Sequence, residues 1–90
     1  MERYIIKFTK QAIKDKKLLF SAKLEESTKE ILNLICKDPY IYPPAFEKLN
    51  GNLKGYYSRR INRNHRIIYR VNEEAGEIYI IRMWTHYENI

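Results

Sequence analysis

The sequence predicts an α+β fold, in which two N-terminal helices pack on one face of a mainly antiparallel sheet in the order β-α-α-β-β-β. Three observations support this. The chain has 90 residues, which is the size of a single domain spanning 1–90. Helical periodicity occurs only before Pro39, whereas alternating β-branched and aromatic residues dominate after Gly55. Strands joined by short polar turns form antiparallel sheets, so the face away from the helices is expected to be open.

The segment before Pro39 predicts one strand and two helices. Residues 3–8 (RYIIKF) are rich in β-branched and aromatic types and predict the first strand. Thr9 is a suitable N-cap for the helix that follows, and Pro39 ends the second helix. The residues expected on the buried faces are Ala12, Ile13, Lys16, Leu19 and Phe20 in the first helix, and Leu24, Thr28, Ile31, Leu32 and Ile35 in the second.

The remainder predicts a stiff loop followed by a three-stranded meander. Residues 38–45 contain three prolines and lead directly to the segment that carries Glu47. Residues 49–55 (LNGNLKG) are typical of a turn whose leucines enter the core. The predicted strands are residues 56–61, 65–71 and 78–84, and in the middle one Ile67, Tyr69 and Val71 are expected to face opposite to Arg66, Ile68 and Arg70.

Composition favours a polyanionic partner and a reducing compartment. The formal net charge is +6 and the sequence pI is about 9.5, values that suit nucleic acid but also simple solubility. The single cysteine, Cys36, excludes an intramolecular disulfide and lies in an apolar run, so we expect a buried thiol. No apolar run has the length of a signal-peptide core or of a membrane span, so a cytoplasmic protein without membrane contact is predicted.

Arginine is concentrated in the C-terminal half, interleaved with tyrosines and Trp84. Guanidinium groups bind phosphate through two parallel hydrogen bonds, and bases stack on aromatic rings, so this mixture is typical of single-stranded RNA binding. Aromatic residues in strands are also ordinary core residues. The arginines expected on the open face are Arg59, Arg60, Arg63, Arg66, Arg70 and Arg82.

Three residue types in this half could cleave RNA without a metal or other cofactor. A base removes the 2′-OH proton, a cation stabilises the phosphorane, and an acid protonates the departing 5′-oxygen. Glu47, Arg66 and His86 are candidates for these roles in that order. The alternatives are a plain surface carboxylate at Glu47 and a bystander histidine at His86. The sequence contains no metal-ligand spacing and no P-loop.

Three segments resemble one known family. Residues 56–62 (YYSRRIN), 65–69 (HRIIY) and 84–87 (WTHY) are similar to the Txe/YoeB toxins of the RelE superfamily. The resemblance implies a microbial-ribonuclease-like fold. It also implies Glu47 as general base, Arg66 as phosphate-stabilising cation, His86 as general acid and Tyr87 as the family's terminal tyrosine. The RNA-binding residues expected alongside them are Arg59, Arg60, Lys48, Lys54 and Arg63.

The resemblance also implies activity and partners. These toxins are endoribonucleases that cleave mRNA in the ribosomal A site and are neutralised by an acidic antitoxin of the YefM/Axe type, through which they reach operator DNA. A homodimer is a further expected state. The alternatives are a non-cleaving RNA- or ribosome-binding module and a co-repressor partner of the antitoxin. This chain departs from the family pattern at Asn50, where many members have lysine, and in the tail after Tyr87.

Overall fold

The first strand and the two helices form as the sequence pattern predicts. The computed structural model describes residues 3–84, with β1 at Ile5–Phe8, α1 at Lys10–Ser21 and α2 at Glu25–Lys37. The Thr9 hydroxyl accepts a hydrogen bond from the backbone N–H of Ala12 at 3.0 Å and so caps α1. Within residues 3–84, neither helix is long and apolar enough to cross a bilayer.

A Schellman motif at Lys23 makes the two helices a hairpin. The backbone N–H of Leu24 donates to the Leu19 carbonyl at 2.9 Å, and that of Lys23 donates to Phe20 at 3.1 Å. Lys23 has φ +64°, a left-handed conformation that glycine usually provides. Sequence reasoning could not choose between a hairpin and one kinked helix because no glycine or proline marks this break.

One five-stranded sheet carries the rest of the chain. Its remaining strands are β2 at Glu47–Lys48, β3 at Tyr56–Arg60, β4 at Arg66–Asn72 and β5 at Glu77–Arg82, and the spatial order is β1-β5-β4-β3-β2. β1 runs parallel to β5, and all other neighbouring pairs are antiparallel. The predicted α+β architecture is therefore confirmed.

Two features of the sheet differ from the prediction. Glu47 and Lys48 form a short edge strand that sequence analysis missed, because two residues are too few to display a period and the strand exists through its pairing with β3. The pairing of β4 with β5 skips Ile81, so an unpredicted bulge lies in β5, while β4 keeps its predicted alternation through its regular pairing with β3. Ile68 is the cross-strand partner of Ser58 and lies on the face predicted for it, but it is fully buried there.

The main core lies between the helices and the sheet. It is built from fully buried residues on both layers: Ala12, Leu19, Ile35, Ile67, Tyr69, Ile78, Ile80 and Met83. The expectation that Ile13 lies on the buried face of α1 is wrong, because 46% of it is exposed while Asp15 is fully buried. Asp15 takes this position because its carboxylate accepts hydrogen bonds from the end of β5. The face of α1 that packs inward is therefore fixed by a polar contact as well as by apolar area.

Candidate active site

Glu47 and Arg66, the predicted base and cation, form an ion pair on the sheet face away from the helices. Arg66 is the first residue of β4 and Glu47 the first of β2, with β3 between them. The Arg66 Nη1 donates to the Glu47 Oε1 at 3.1 Å. The Glu47 side chain is 58% exposed and that of Arg66 13%. The guanidinium is thus held in place by the fold, while the carboxylate remains accessible to a substrate.

An open cleft of about 400 Å³ surrounds this pair. Arg60 lies directly across from Arg66 in the β3–β4 pairing, and Ser58 lies across from Glu47 in the β2–β3 pairing. The two opposed arginines make the cleft electropositive, since like charges on neighbouring strands favour an anion between them. The residues that line the cleft are Pro44, Ala45, Phe46, Glu47, Ser58, Arg60 and Arg66.

Ser58 has an unusual environment within this cleft. The residue is 1% exposed, and its hydroxyl oxygen is the one buried side-chain N or O atom among residues 3–84 without a hydrogen-bond partner. A buried hydroxyl left unpaired costs about 1–3 kcal/mol. The alternation of Tyr56, Ser58 and Arg60 on one face of β3 was the sequence signal that could have identified it.

Arg59 is not an RNA-binding residue in this fold, and the prediction for it is corrected. It is 1% exposed, and its Nε donates to the Tyr69 hydroxyl at 3.0 Å. Its terminal nitrogens donate to the carbonyls of Pro44 at 2.8 Å, Ile41 at 2.8 Å and Pro39 at 3.2 Å. All three guanidinium nitrogens are therefore occupied in holding the proline-rich loop against the sheet.

Arg60 lines the first cleft, but three further predicted RNA-binding cations, Lys48, Lys54 and Arg63, lie outside it. Lys48 and Lys54 are exposed and line a second open cleft of about 260 Å³ together with Asn50 and Tyr56. Lys48 follows Glu47 on β2, so both clefts include the β2 edge of the sheet. Arg63 is exposed in the turn between β3 and β4. Lys48 and Lys54 thus flank Asn50, the position where the sequence departs from its family pattern.

The predicted acid His86 and the predicted Tyr87 lie outside the described residues. The last described residue, Trp84, is fixed by His65: the two rings stack with centroids 4.1 Å apart, and the His65 Nδ1 forms a short hydrogen bond with the Trp84 carbonyl. His65 immediately precedes Arg66 in the chain. The end of the described chain is therefore held beside the strand that carries the cleft's central cation.

Asp15, which sequence analysis did not single out, binds Arg82 and Met83, the two residues before Trp84. Its Oδ2 accepts from the Arg82 Nε at 2.8 Å and from the Met83 backbone N–H at 3.0 Å, and its Oδ1 accepts from Gln11 at 3.0 Å. Burial alone would raise the pKa of Asp15, but these three hydrogen bonds outweigh it and hold that pKa below its usual value. Arg82 was expected on the open face, but its guanidinium is instead paired with Asp15 of α1. An acid between Ala12 and Leu19 on the buried helix face was the available signal.

The charges of the cleft suit a phosphate group rather than a metal ion. In the part of the chain from residue 3 to residue 84, no three His, Cys, Asp or Glu side chains lie close enough to hold a metal. Two guanidinium groups can bind two oxygens of one phosphate, and an accessible carboxylate beside them can remove a proton from a neighbouring hydroxyl. The cleft therefore has the charges that a phosphate site with an adjacent base requires.

Known proteins resemble this chain in both sequence and structure. A cyanobacterial toxin YoeB from Synechocystis sp. is 36% identical over 74 residues, covering 82% of this chain and 77% of the relative. The Staphylococcus aureus toxin, solved in a YoeB–YefM complex and as a YoeB dimer, is 36% identical with TM-scores of 0.78 and 0.79 and covers 94% of this chain and 99% of its own. A YoeB/ParE toxin from Agrobacterium tumefaciens is 26% identical with a TM-score of 0.83, covering 92% of this chain and 99% of its own.

A match along most of the chain shows to which family it belongs. The family model described as a YoeB-like toxin of bacterial type II toxin–antitoxin systems matches residues 8–87. That range includes both helices, all of the cleft and the terminal motif at Trp84. The chain belongs to the YoeB-like toxin family of bacterial type II toxin–antitoxin systems.

Proposed function

We propose that this toxin is a metal-independent endoribonuclease that cleaves mRNA in the A site of the ribosome, in the cytoplasm. The observation that carries the proposal is the contact of 3.1 Å between an accessible carboxylate and a largely buried guanidinium in an open cationic cleft. Acid–base cleavage of RNA needs this pair side by side, because the proton to be removed and the phosphate to be stabilised belong to adjacent atoms of one linkage.

The proposed reaction starts at the 2′-hydroxyl of the nucleotide before the cut. Glu47 takes the hydroxyl proton, and the oxygen attacks the neighbouring phosphorus. Arg66 and Arg60 stabilise the negative charge of the phosphorane. The bond to the 5′-oxygen breaks as that oxygen receives a proton, which leaves a 2′,3′-cyclic phosphate and a 5′-hydroxyl. His86 is proposed as the proton donor, and Tyr87 is proposed to contact the RNA beside it.

Chain connectivity supports His86 in this role. Trp84 is held against His65, the neighbour of Arg66, and two further residues span at most about 7 Å. This short separation along the chain supports His86 as the proposed acid. Lys48, Lys54 and Arg63 are proposed to bind phosphates of the flanking RNA, since all three are exposed on the strands and turns around the site.

The test is the cleavage pattern of cellular mRNA after the toxin is induced. Arg66→Ala and His86→Ala are each expected to lower the rate of cleavage by about 10²–10⁴-fold, and to release the growth arrest, without loss of the fold. Arg70→Ala is the matched control, because Arg70 is also an arginine of β4 but stacks on Tyr79, 4.5 Å from the ring centre. It should cleave as wild type does.

Mapping of 5′ ends separates cutting from blocking. New mRNA 5′ ends with wild type and Arg70→Ala, absent with the two site variants, support the proposal. Growth arrest without new ends indicates a non-cleaving ribosome-binding module instead. With purified ribosomes, the cut within the mRNA should also survive chelation of free metal once ribosome integrity has been verified.

We further propose that an acidic antitoxin of the YefM type neutralises this toxin. Support comes from the +6 net charge and from the YoeB–YefM complex of the S. aureus relative. Binding to operator DNA would then occur through the antitoxin, and a toxin dimer is proposed by analogy with the same relative. Co-expression with the product of the adjacent reading frame should restore growth and give a complex on co-purification.

A further inference from the structure

We infer that Ser58 is a positioning residue, whose hydroxyl donates a hydrogen bond to the Glu47 carboxylate once the Arg66 guanidinium has bound the substrate phosphate. The inference rests on the proposed ribonuclease function. It starts from the unpaired hydroxyl of Ser58, which is 1% exposed and lines the same cleft as Glu47 and Arg66. Hydroxyl groups in folded proteins are seldom buried without a partner, and the exceptions need a functional explanation.

The register of the sheet determines which group can become that partner. Ser58 is the direct cross-strand partner of Glu47 in the β2–β3 pair, and opposed residues project to the same face with Cβ atoms about 5 Å apart. Two rotatable side-chain bonds bring a glutamate carboxylate from its present position within reach of that hydroxyl. Because the hydroxyl has almost no accessible surface of its own, it acts on Glu47 and does not touch the RNA.

Arg66 determines which residue holds the Glu47 carboxylate. In the absence of substrate its guanidinium holds the carboxylate at 3.1 Å, which fixes Glu47 but also occupies a donor that the phosphate needs. A dianionic phosphorane competes more strongly for the guanidinium than one carboxylate does. Glu47 would then lose its partner at the moment it must accept a proton. The Ser58 hydroxyl is the free donor across the strand pair that keeps it oriented.

This role predicts opposite signs for stability and activity in Ser58→Ala. Removing an unpaired buried hydroxyl should raise the melting temperature by at least about 4 °C. Losing a hydrogen bond to a charged group should lower kcat by about 10–100-fold, with KM unchanged because Arg60 and Arg66 still bind the phosphate. A residue that only packed in the core would lose stability when truncated and would leave kcat unaffected.

The conservative variant gives a second readout. Ser58→Thr retains the hydroxyl and should restore kcat. A residue that acted only by packing would not be rescued by a variant that merely returns the hydroxyl.

The experiment measures single-turnover cleavage on programmed ribosomes for wild type, Ser58→Ala, Ser58→Thr and Glu47→Gln, with thermal unfolding of each. Ser27→Ala is the matched control, since it removes a hydroxyl from an exposed site on α2 and should change neither quantity. If Glu47→Gln is inactive while Ser58→Ala is fully active, the inference alone is overturned. A fully active Glu47→Gln overturns the proposed function.

Discussion

At the scale of single residues, Arg59 and Arg60 are neighbours in sequence with different roles. Consecutive side chains of a strand point to opposite faces, so Arg60 enters the cleft while Arg59 points to the helix side. There the loop at Pro39–Pro44 covers it and supplies three carbonyl oxygens as acceptors. The same guanidinium lies 4.5 Å from the centre of the Phe46 ring, and Phe46 precedes the proposed base Glu47. Arg59 therefore supports the cleft from behind.

Arg59→Lys should be strongly destabilising although it conserves the charge. An ammonium group cannot reproduce a planar fork that contacts four acceptors, and buried carbonyls left without donors are costly. We expect the free energy of unfolding to fall by about 2–4 kcal/mol, measured by urea denaturation. Arg63→Lys, at an exposed turn position, should change it by less than about 0.5 kcal/mol. Equal values for the two variants would contradict this structural role.

At the scale of elements, α1 is joined to the end of β5 by Asp15. The Asp15 carboxylate accepts hydrogen bonds from Arg82 and from the Met83 backbone. The ring of His65, the residue before β4, stacks on Trp84. Three successive residues are thus fixed by contacts from separate parts of the chain. The predicted acid His86 follows Trp84 by two positions in the sequence. The contacts made by Asp15 and His65 therefore fix the start of the terminal motif.

Asp15→Asn should reduce stability in a pH-dependent way. The pKa of Asp15 is lowered in the folded state, so its contribution is fully present above the unfolded value of about 3.9 and is lost as the pH falls toward the folded value. At pH 7 we expect the variant to be less stable by about 1–3 kcal/mol. The difference from wild type should narrow between about pH 4 and pH 2.

Urea denaturation across this pH range tests the prediction. Glu30→Gln on the exposed face of α2 serves as control, because it also neutralises one helix carboxylate. A difference between Asp15→Asn and wild type that stays constant down to pH 2 would show that the charge of Asp15 does not contribute.

At the scale of the whole molecule, the parts that sequence predicted are those set by local periodicity. The helices, the meander and the cap at Thr9 depend on neighbours in the chain, and residue spacing is enough to predict them. The two-residue strand at Glu47, the burial of Arg59 and the inward face of Asp15 depend on segments 11–68 positions away in the chain. No local pattern encodes such partners. Glu47 and Arg66 were predicted to act at one site from the chemistry of RNA cleavage and from the family resemblance, and not from their spacing in the sequence.

RNA affinity should depend on the location of the basic residues more than on net charge, because the cations proposed to bind phosphate lie in and around the two clefts. For single-stranded nucleic acid, the slope of log K against log salt is about −0.7 per phosphate neutralised. Arg60, Arg66, Lys48 and Lys54 line the two clefts, and Arg63 is exposed in the turn between β3 and β4. Five contacts give an expected slope of about −3.5 for an uncleavable 2′-O-methyl RNA.

A pair of double variants with equal charge change tests this. Lys48→Ala with Lys54→Ala removes two cations from the second cleft and should reduce the slope to about −2.1. Lys14→Ala with Lys17→Ala removes two exposed cations from α1 and should leave the slope near the wild-type value. Both variants have a formal net charge of +4, two less than the +6 of the wild type. If both slopes fell equally, the RNA would be responding to the overall field of the protein and the second cleft would not be part of its path.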